Sequence, residues 1–180
     1  VPRDFEMPMR VVTEEFVVVP LAMAQWPQDF DSYMASVDHL QSTFDLDGLD
    51  MTLDGGHGER WPAGSNIEFA VVDAAWCQFE WQHLRTSFTY TALSLDEREQ
   101  LAAGYIFRSK KQGYELECQT WIRASKLAEG FDQRWYEWFR NWVETAWPFS
   151  SLRIAWPGRE ISWSEWNDLP WIGWNAEDLT

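Results

Sequence analysis

Hydrophobic and polar positions change period along this chain. Phe16-Val17-Val18-Val19 is an apolar, largely β-branched run that stops at Pro20, which reads as a strand. Pro27 suits the first turn of a helix, and after it Phe30, Tyr33, Met34, Val37, Leu40 and Phe44 recur at helical spacing. The stretch from Asp45 to Gly64, with glycines at 48, 55, 56, 58 and 64, reads as a loop. A second helix opens at Ser65, where Ser65 and Glu68 fit a capping box; Ile67, Val71, Ala74, Trp81 and Leu84 fall on one face.

The middle of the chain switches to a period of two. Phe88, Tyr90 and Ala92 alternate with Thr89, Thr91 and Leu93, and a turn at Asp96-Glu97-Arg98-Glu99 leads to a second strand, Leu101 to Phe107. Ser109 to Gly113 turns the chain into a third strand, Tyr114 to Arg123, and such short turns predict an antiparallel meander. After a loop from Ala124 to Gly130 the helical period returns. Trp135, Trp138, Phe139, Trp142, Val143, Ala146 and Trp147 make one apolar stripe, read as a core face, and Pro148 ends it. Leu152 to Trp156 is a further strand, joined by a crossover helix and expected to lie parallel to the third. Five tryptophans between Trp156 and Trp174 follow no clear element, although Trp163 and Trp166 sit as on one helical turn. They fold back on the core or form a contact surface.

Composition narrows the function classes. Hydrophobic residues make up 46% of the 180, enough for a core, and no run approaches the roughly 18 apolar residues of a membrane span. Val1 to Arg10 has no apolar signal region, and Cys77 and Cys118 make no disulfide framework, so a cytoplasmic setting is expected. There are 29 acidic against 14 basic residues, a net charge of −15, with lysines only at 110, 111 and 126. That balance argues against a nucleic-acid partner and favours a cationic small molecule such as an amine, while adaptation to high salt would give it too. A homodimer is compatible with the sequence.

A strand, a loop and a helix N-terminus in series form an anion site, because the first N–H groups of a helix lack intrahelical partners. Here the segment is Trp121-Ile122-Arg123-Ala124-Ser125-Lys126-Leu127-Ala128-Glu129-Gly130-Phe131-Asp132. With the strand, two helices and three-strand meander before it, and the helix and strand after it, the chain resembles the GNAT N-acetyltransferase fold over roughly Phe16 to Trp156. The resemblance implies an α+β fold with a mixed, mostly antiparallel sheet and helices on both faces. It would be one domain over 1–180, with a Trp-rich extension from about 157. It also implies acetyl-CoA as co-substrate and a small-molecule or peptide amine as acceptor.

In that family backbone N–H groups of the loop hold the cofactor's pyrophosphate, in the pattern R/Q-x-x-G-x-G/A. Laid on this chain the pattern begins at Leu127 and keeps Gly130, while Leu127 replaces the leading Arg or Gln and Asp132 the last small residue. The expected cofactor-binding positions are therefore Ile122, Arg123, Lys126, Leu127, Ala128, Gly130, Phe131 and Asp132. Glu129 and Asp132 put carboxylates beside the pyrophosphate position. At about 6 Å and an effective dielectric of about 20, each costs on the order of 2–3 kcal/mol, less when solvated. Asp132 also reads as an N-cap of the following helix.

The family's chemistry needs a base for the amine and an acid for the departing thiolate. Glu115, Glu117 and Gln119 share one face of the third meander strand by alternation, which makes Glu117 the expected base and Glu115 the second. No tyrosine follows Tyr136, so no acid is visible. Gly55-Gly56-His57-Gly58 lacks the context of a phosphate loop and reads as a loop over the acceptor side. His39, His57, His83 and the two cysteines have no metal-ligand spacing. Two other readings compete: a non-catalytic relative with a spoiled cofactor loop, and a sugar-binding module with exposed tryptophan platforms.

Overall fold

A computed structural model describes residues 1–2, 4–45, 61–149 and 152–172. Six strands form one sheet in chain order: β1 (Val11–Val12), β2 (Val17–Pro20), β3 (Ser87–Leu93), β4 (Gln100–Arg108), β5 (Leu116–Ile122) and β6 (Ile154–Ala155). Neighbours are antiparallel up to β5, and β6 lies parallel to β5. The helices are α1 (Trp26–Met34), α2 (Val37–Thr43), α3 (Ile67–Phe79), α4 (Phe131–Ala146) and α5 (Trp163–Asp168). The architecture is the expected α+β arrangement, with α4 on one face of the sheet and α1 and α3 on the other. No described helix is long and apolar enough to cross a membrane.

The α4 face is closed. Trp135, Phe139, Trp142, Val143 and Trp147 of the predicted stripe are all buried, together with Phe88, Tyr90, Ile106 and Cys118 from the strands. Ala146, the remaining small residue of that stripe, is exposed at the helix end. Gly104 is what lets α4 approach: a Cβ built there would lie 2.5 Å from the Phe139 ring. Trp135 Nε1 donates to the Ala103 carbonyl at 3.0 Å, so even the polar edge of this tryptophan is satisfied inside the core.

Three local readings need correction. The helix predicted after Pro27 is two helices, α1 and α2, parted at Ala35–Ser36. Ser36 causes the break: its hydroxyl donates to the Ser32 carbonyl at 2.7 Å and accepts the Ala124 N–H at 2.9 Å, tying the kink to the loop after β5. The second helix is capped by Asn66, whose Oδ1 accepts from Phe69 N–H at 2.8 Å, and not by Ser65. Of its predicted face Ala74 and Trp81 are buried and Val71 is half-buried, whereas Ile67 and Leu84 are exposed and Ala70 turns inward instead; Val72 and Trp76 are also exposed. Downstream, α3 runs into a π-type turn, Glu80–Leu84, that buries Trp81, with its Nε1 on the Leu21 carbonyl at 2.8 Å.

The tryptophan-rich end also finds its place. Trp156 is buried against Phe139 and Tyr136, and α5 carries the capping box of Ser162 and Glu165. Trp166 is buried beside Tyr114, and Lys111 donates to the Asn167 and Leu169 carbonyls at 3.0 Å, pinning the end of α5. Trp171 is 69% exposed beneath the Lys111 ammonium. Trp174 lies outside the described residues, as does the glycine-rich segment around His57.

Candidate active site

Strands β5 and β6 pair only at Leu116↔Ile154 and Glu117↔Ala155. Beyond Glu117 they part, because after Ala155 the chain turns at Pro157–Gly158 and pairs with its own Ile161. Gly158 adopts φ +75°, and a Cβ there would meet Trp163 Nε1 at 2.7 Å. The turn therefore needs glycine twice, for its backbone and for the indole packed on it. Trp163 Nε1 donates to the Thr43 carbonyl at 2.8 Å, which brings α5 and α2 together across the gap.

Where the strands part lies a cavity of about 250 Å³, lined by Thr120 of β5, Asp132 of α4, the Pro157–Arg159 turn, Trp163, and His39, Ser42, Thr43 and Phe44 of α2 and its end. Thr120 is buried, and its hydroxyl oxygen has no hydrogen-bond partner. A buried hydroxyl left unpaired is costly, and this one belongs to a residue that lines the gap. Arg159 closes one side. Its guanidinium donates to both Asp132 oxygens at 2.5 Å, a fork-on-fork ion pair.

On the α1–α3 face a second, larger cleft of about 510 Å³ opens between the sheet and the two helices. Thr89, Tyr105, Phe107 and Gln119 form its floor, since Thr89↔Tyr105↔Gln119 are register neighbours and point the same way. Asp29, Tyr33, Phe69, Asp73, Trp76, Cys77 and Glu80 come from the helices and the π turn. Burial pushes Asp29 up to about 7, against a Gln100 hydrogen bond that lowers it and an Asp73 charge that raises it further. Asp73 is likewise raised by burial and then by Glu80. Phe44 and Trp163 line both cavities, so the gap between the strands and the cleft adjoin and share these two side chains as a wall.

The positions singled out from sequence divide between these places. Gly130, left-handed at φ 65°, is the N-cap of α4, and no side chain covers the first turn. Asp132 does not cap: it stands in that first turn and reaches Arg159 instead. Residues 124–129 coil into a 3₁₀ helix, with Lys126 N–H on the Arg123 carbonyl and Gly130 N–H on Leu127. Arg123 is engaged by Asp31 at 2.6 Å and Glu99 at 3.2 Å, and Lys126 by Glu129 at 3.4 Å. Leu127 and Ala128 are exposed, while Ile122 and Phe131 are buried in the core. Of the eight, Asp132 alone lines the cavity, and the cation beside it is Arg159, from a segment no loop pattern indicates.

Glu117 is on the cleft side of β5, directly opposite Phe107, and accepts from Gln119 Nε2 at 2.5 Å. Burial raises its carboxyl, with the Gln119 hydrogen bond and the Lys111 and Lys110 charges acting the other way. It touches the cleft through Gln119, which lines it; Glu117 itself lines a smaller neighbouring cavity. Glu115 precedes the strand and is turned away, accepting from Arg153 N–H at 2.7 Å. Asp29 and Asp73, the acids inside the cleft, were missed. The signal for them is an acidic residue on a buried helical face: Asp29 is four residues before Tyr33, and Asp73 is four before Cys77.

In structural comparison the chain aligns with the ribosomal-protein-S5-alanine acetyltransferase of Vibrio fischeri over 77% of its own length and 69% of that chain, at 11% identity and a TM-score of 0.55. A second structure, provisionally assigned as an acetyltransferase, aligns over 84% of this chain and 66% of its own, at 11% identity and a TM-score of 0.52. The fold is that of the GNAT acetyltransferases. No protein-family model and no curated protein matches the chain by sequence. Within the GNAT fold, the parted parallel strands and the uncapped N-terminus of α4 are the features that the loop sequence alone obscured. Among the described residues no cluster of His, Cys, Asp or Glu could hold a metal ion.

Proposed function

We propose that the chain is an N-acyltransferase that moves an acetyl group from acetyl-CoA to an amine. The observation that carries this reading is the adjacency of two cavities that share Phe44 and Trp163, one between parted strands and one lined by carboxylates. The residues of the first fit the co-substrate. The unpartnered Thr120 hydroxyl suits an amide of its pantetheine arm, and Arg159 and the uncapped first turn of α4 suit its phosphates. Acetyl-CoA would supply the acyl group. In the transfer the amine nitrogen bonds to the acetyl carbon and the carbon–sulfur bond breaks. One proton leaves the nitrogen for a carboxylate, and the CoA sulfur leaves with a proton.

Glu117 is retained as a base that receives the proton through a water, since the Gln119 amide that donates to it cannot relay one, and Asp29 joins it because its carboxylate is held in the cleft with a proton affinity close to neutrality. The acid for the sulfur is water, since among the described residues no tyrosine lines the cavity between the strands. A second reading, a non-catalytic GNAT-like binding protein, is favoured by one feature: the Arg159–Asp132 pair, which engages the cation that the phosphates require.

Calorimetric titration with acetyl-CoA, run beside an assay of CoA release over a panel of amines, separates the two. Asp132→Gly frees Arg159 and removes a like charge, so acetyl-CoA affinity should rise several-fold; Arg159→Ala should lower it by tenfold or more. No binding to the wild-type protein or to Asp132→Gly would sink the acyltransferase reading. Binding without release of CoA to any amine would favour the second. If Glu117 takes the proton, Glu117→Gln lowers kcat by about 10²–10⁴ with acetyl-CoA binding nearly intact.

A further inference from the structure

Three carboxylates line the cleft under α1 and α3, and among the described residues no Lys or Arg lines it. Asp29 is 8% exposed and accepts from Gln100 Nε2 at 2.7 Å. Asp73 and Glu80 are half-buried, and among the described residues none of the three forms an ion pair. Buried carboxylates without a cation are unfavourable, and the upward displacement of Asp29 and Asp73 expresses this. A separate observation points the same way. Tyr33, 1% exposed, walls the same cleft, and its hydroxyl, although near Ser65, makes no hydrogen bond. The remaining surface is mostly aromatic, and ring faces attract cations and repel carboxylates.

We propose that this cleft binds an organic ammonium ion with an aryl or branched alkyl body, its nitrogen between Asp29 and Asp73 and its body against Trp76, Tyr105 and Phe107. The three donors of a primary ammonium match two carboxylates and the Tyr33 oxygen, so one group meets Asp29, Asp73 and Tyr33 together. A volume of about 510 Å³ suits a compact molecule, and among the described residues the lining offers a polyanion no cation. That the bound amine is also the acyl acceptor rests on the acyltransferase reading. The binding itself does not.

Phenethylammonium and phenethyl alcohol test it, with tryptophan fluorescence and calorimetry on the full chain without acetyl-CoA. The ammonium should bind at least tenfold more tightly than the alcohol at pH 8, and the preference should vanish in Asp29→Asn/Asp73→Asn. Because the ligand needs ionised Asp29, its affinity should rise several-fold from pH 6 to pH 8, and Asp29→Asn should flatten most of that rise. Asp73 and Glu80 are the other acids facing this site, while Tyr33, Tyr105 and Cys77 are held protonated across that range. Equal binding of ammonium and alcohol, binding of neither at millimolar concentration, or a preference that survives the double substitution overturns the proposal. Tight, carboxylate-dependent binding with no acetylation upholds this site and removes the transfer reading. Acetylation of amines that is unaffected by both substitutions does the reverse.

Discussion

The two faces of one sheet solve opposite problems. On the α4 face, tryptophan and phenylalanine rings stack and tilt against one another, Gly104 makes room for Phe139, and every indole at the centre is covered. On the α1–α3 face, the same strands present Thr89, Tyr105, Phe107 and Gln119 to helices that do not fill the space. There Asp29 is buried at a cost, and α3 leaves Ile67, Val72 and Trp76 in solvent. A chain can hold a destabilising cleft on one side because the centre of the other side is closely packed. Stability and chemistry are divided between faces that differ by one residue in strand register.

Four substitutions would break or sharpen that contrast. The largest effect is expected for Trp135→Ala, which empties a fully buried site and strands the Ala103 carbonyl. A loss of about 3–5 kcal/mol should appear in urea denaturation, and a loss below 1 would mean that this face is not closed.

Asp29→Asn should act in the opposite direction. Burial raises the Asp29 carboxyl from its ordinary 3.8 to about 7. Between those values the folded chain keeps a proton that the unfolded chain has released. The stability tied to this group is therefore complete below about pH 4 and is lost as pH rises through 7. The asparagine variant should be more stable than wild type by on the order of 2–4 kcal/mol at pH 8 and about equal at pH 4. A gain that is independent of pH would show that Asp29 is not held protonated.

Gly104→Ala comes next, at about 1–3 kcal/mol of destabilisation, since the methyl group meets an aromatic ring that cannot retreat. The smallest effect belongs to Trp76→Ala. It is 54% exposed on the cleft rim, and the change should cost under about 1 kcal/mol in denaturation while weakening any ligand in the cleft. An equal cost at Trp76 and Trp135 would erase the difference between the faces.

Much of this was legible in the chain. The change from helical to alternating period located the meander, and the crossover helix implied that β6 would lie parallel to β5, as it does. The tryptophan stripe of α4 announced a core face, because one helix packed on one sheet must bury one side. The candidate site was read less well. A motif comparison directs attention to the loop at 127–132, whose charges are answered locally by Glu129 and at a distance by Arg159. Nothing local marks Ser36 as the residue that breaks the first helix, since its partners are Ser32 and, across the fold, Ala124.

By itself, then, the sequence determined the main helical and strand segments, though not β1, the break at Ser36 or the 3₁₀ coil at 124–129, together with the order of the meander strands and the apolar face of α4. These depend on the period of side chains along one segment, a quantity that neighbours in the chain decide. Tertiary structure alone decided that α3 rotates Asp73 into the same cleft as Asp29, that Arg159 reaches Asp132, and that β5 and β6 part after two residue pairs. Each of these joins groups from separate segments. Their meeting depends on helix rotation, on the position of a cap, and on where a paired strand ends. A shift of one residue changes all three while leaving the hydrophobic pattern almost unaltered.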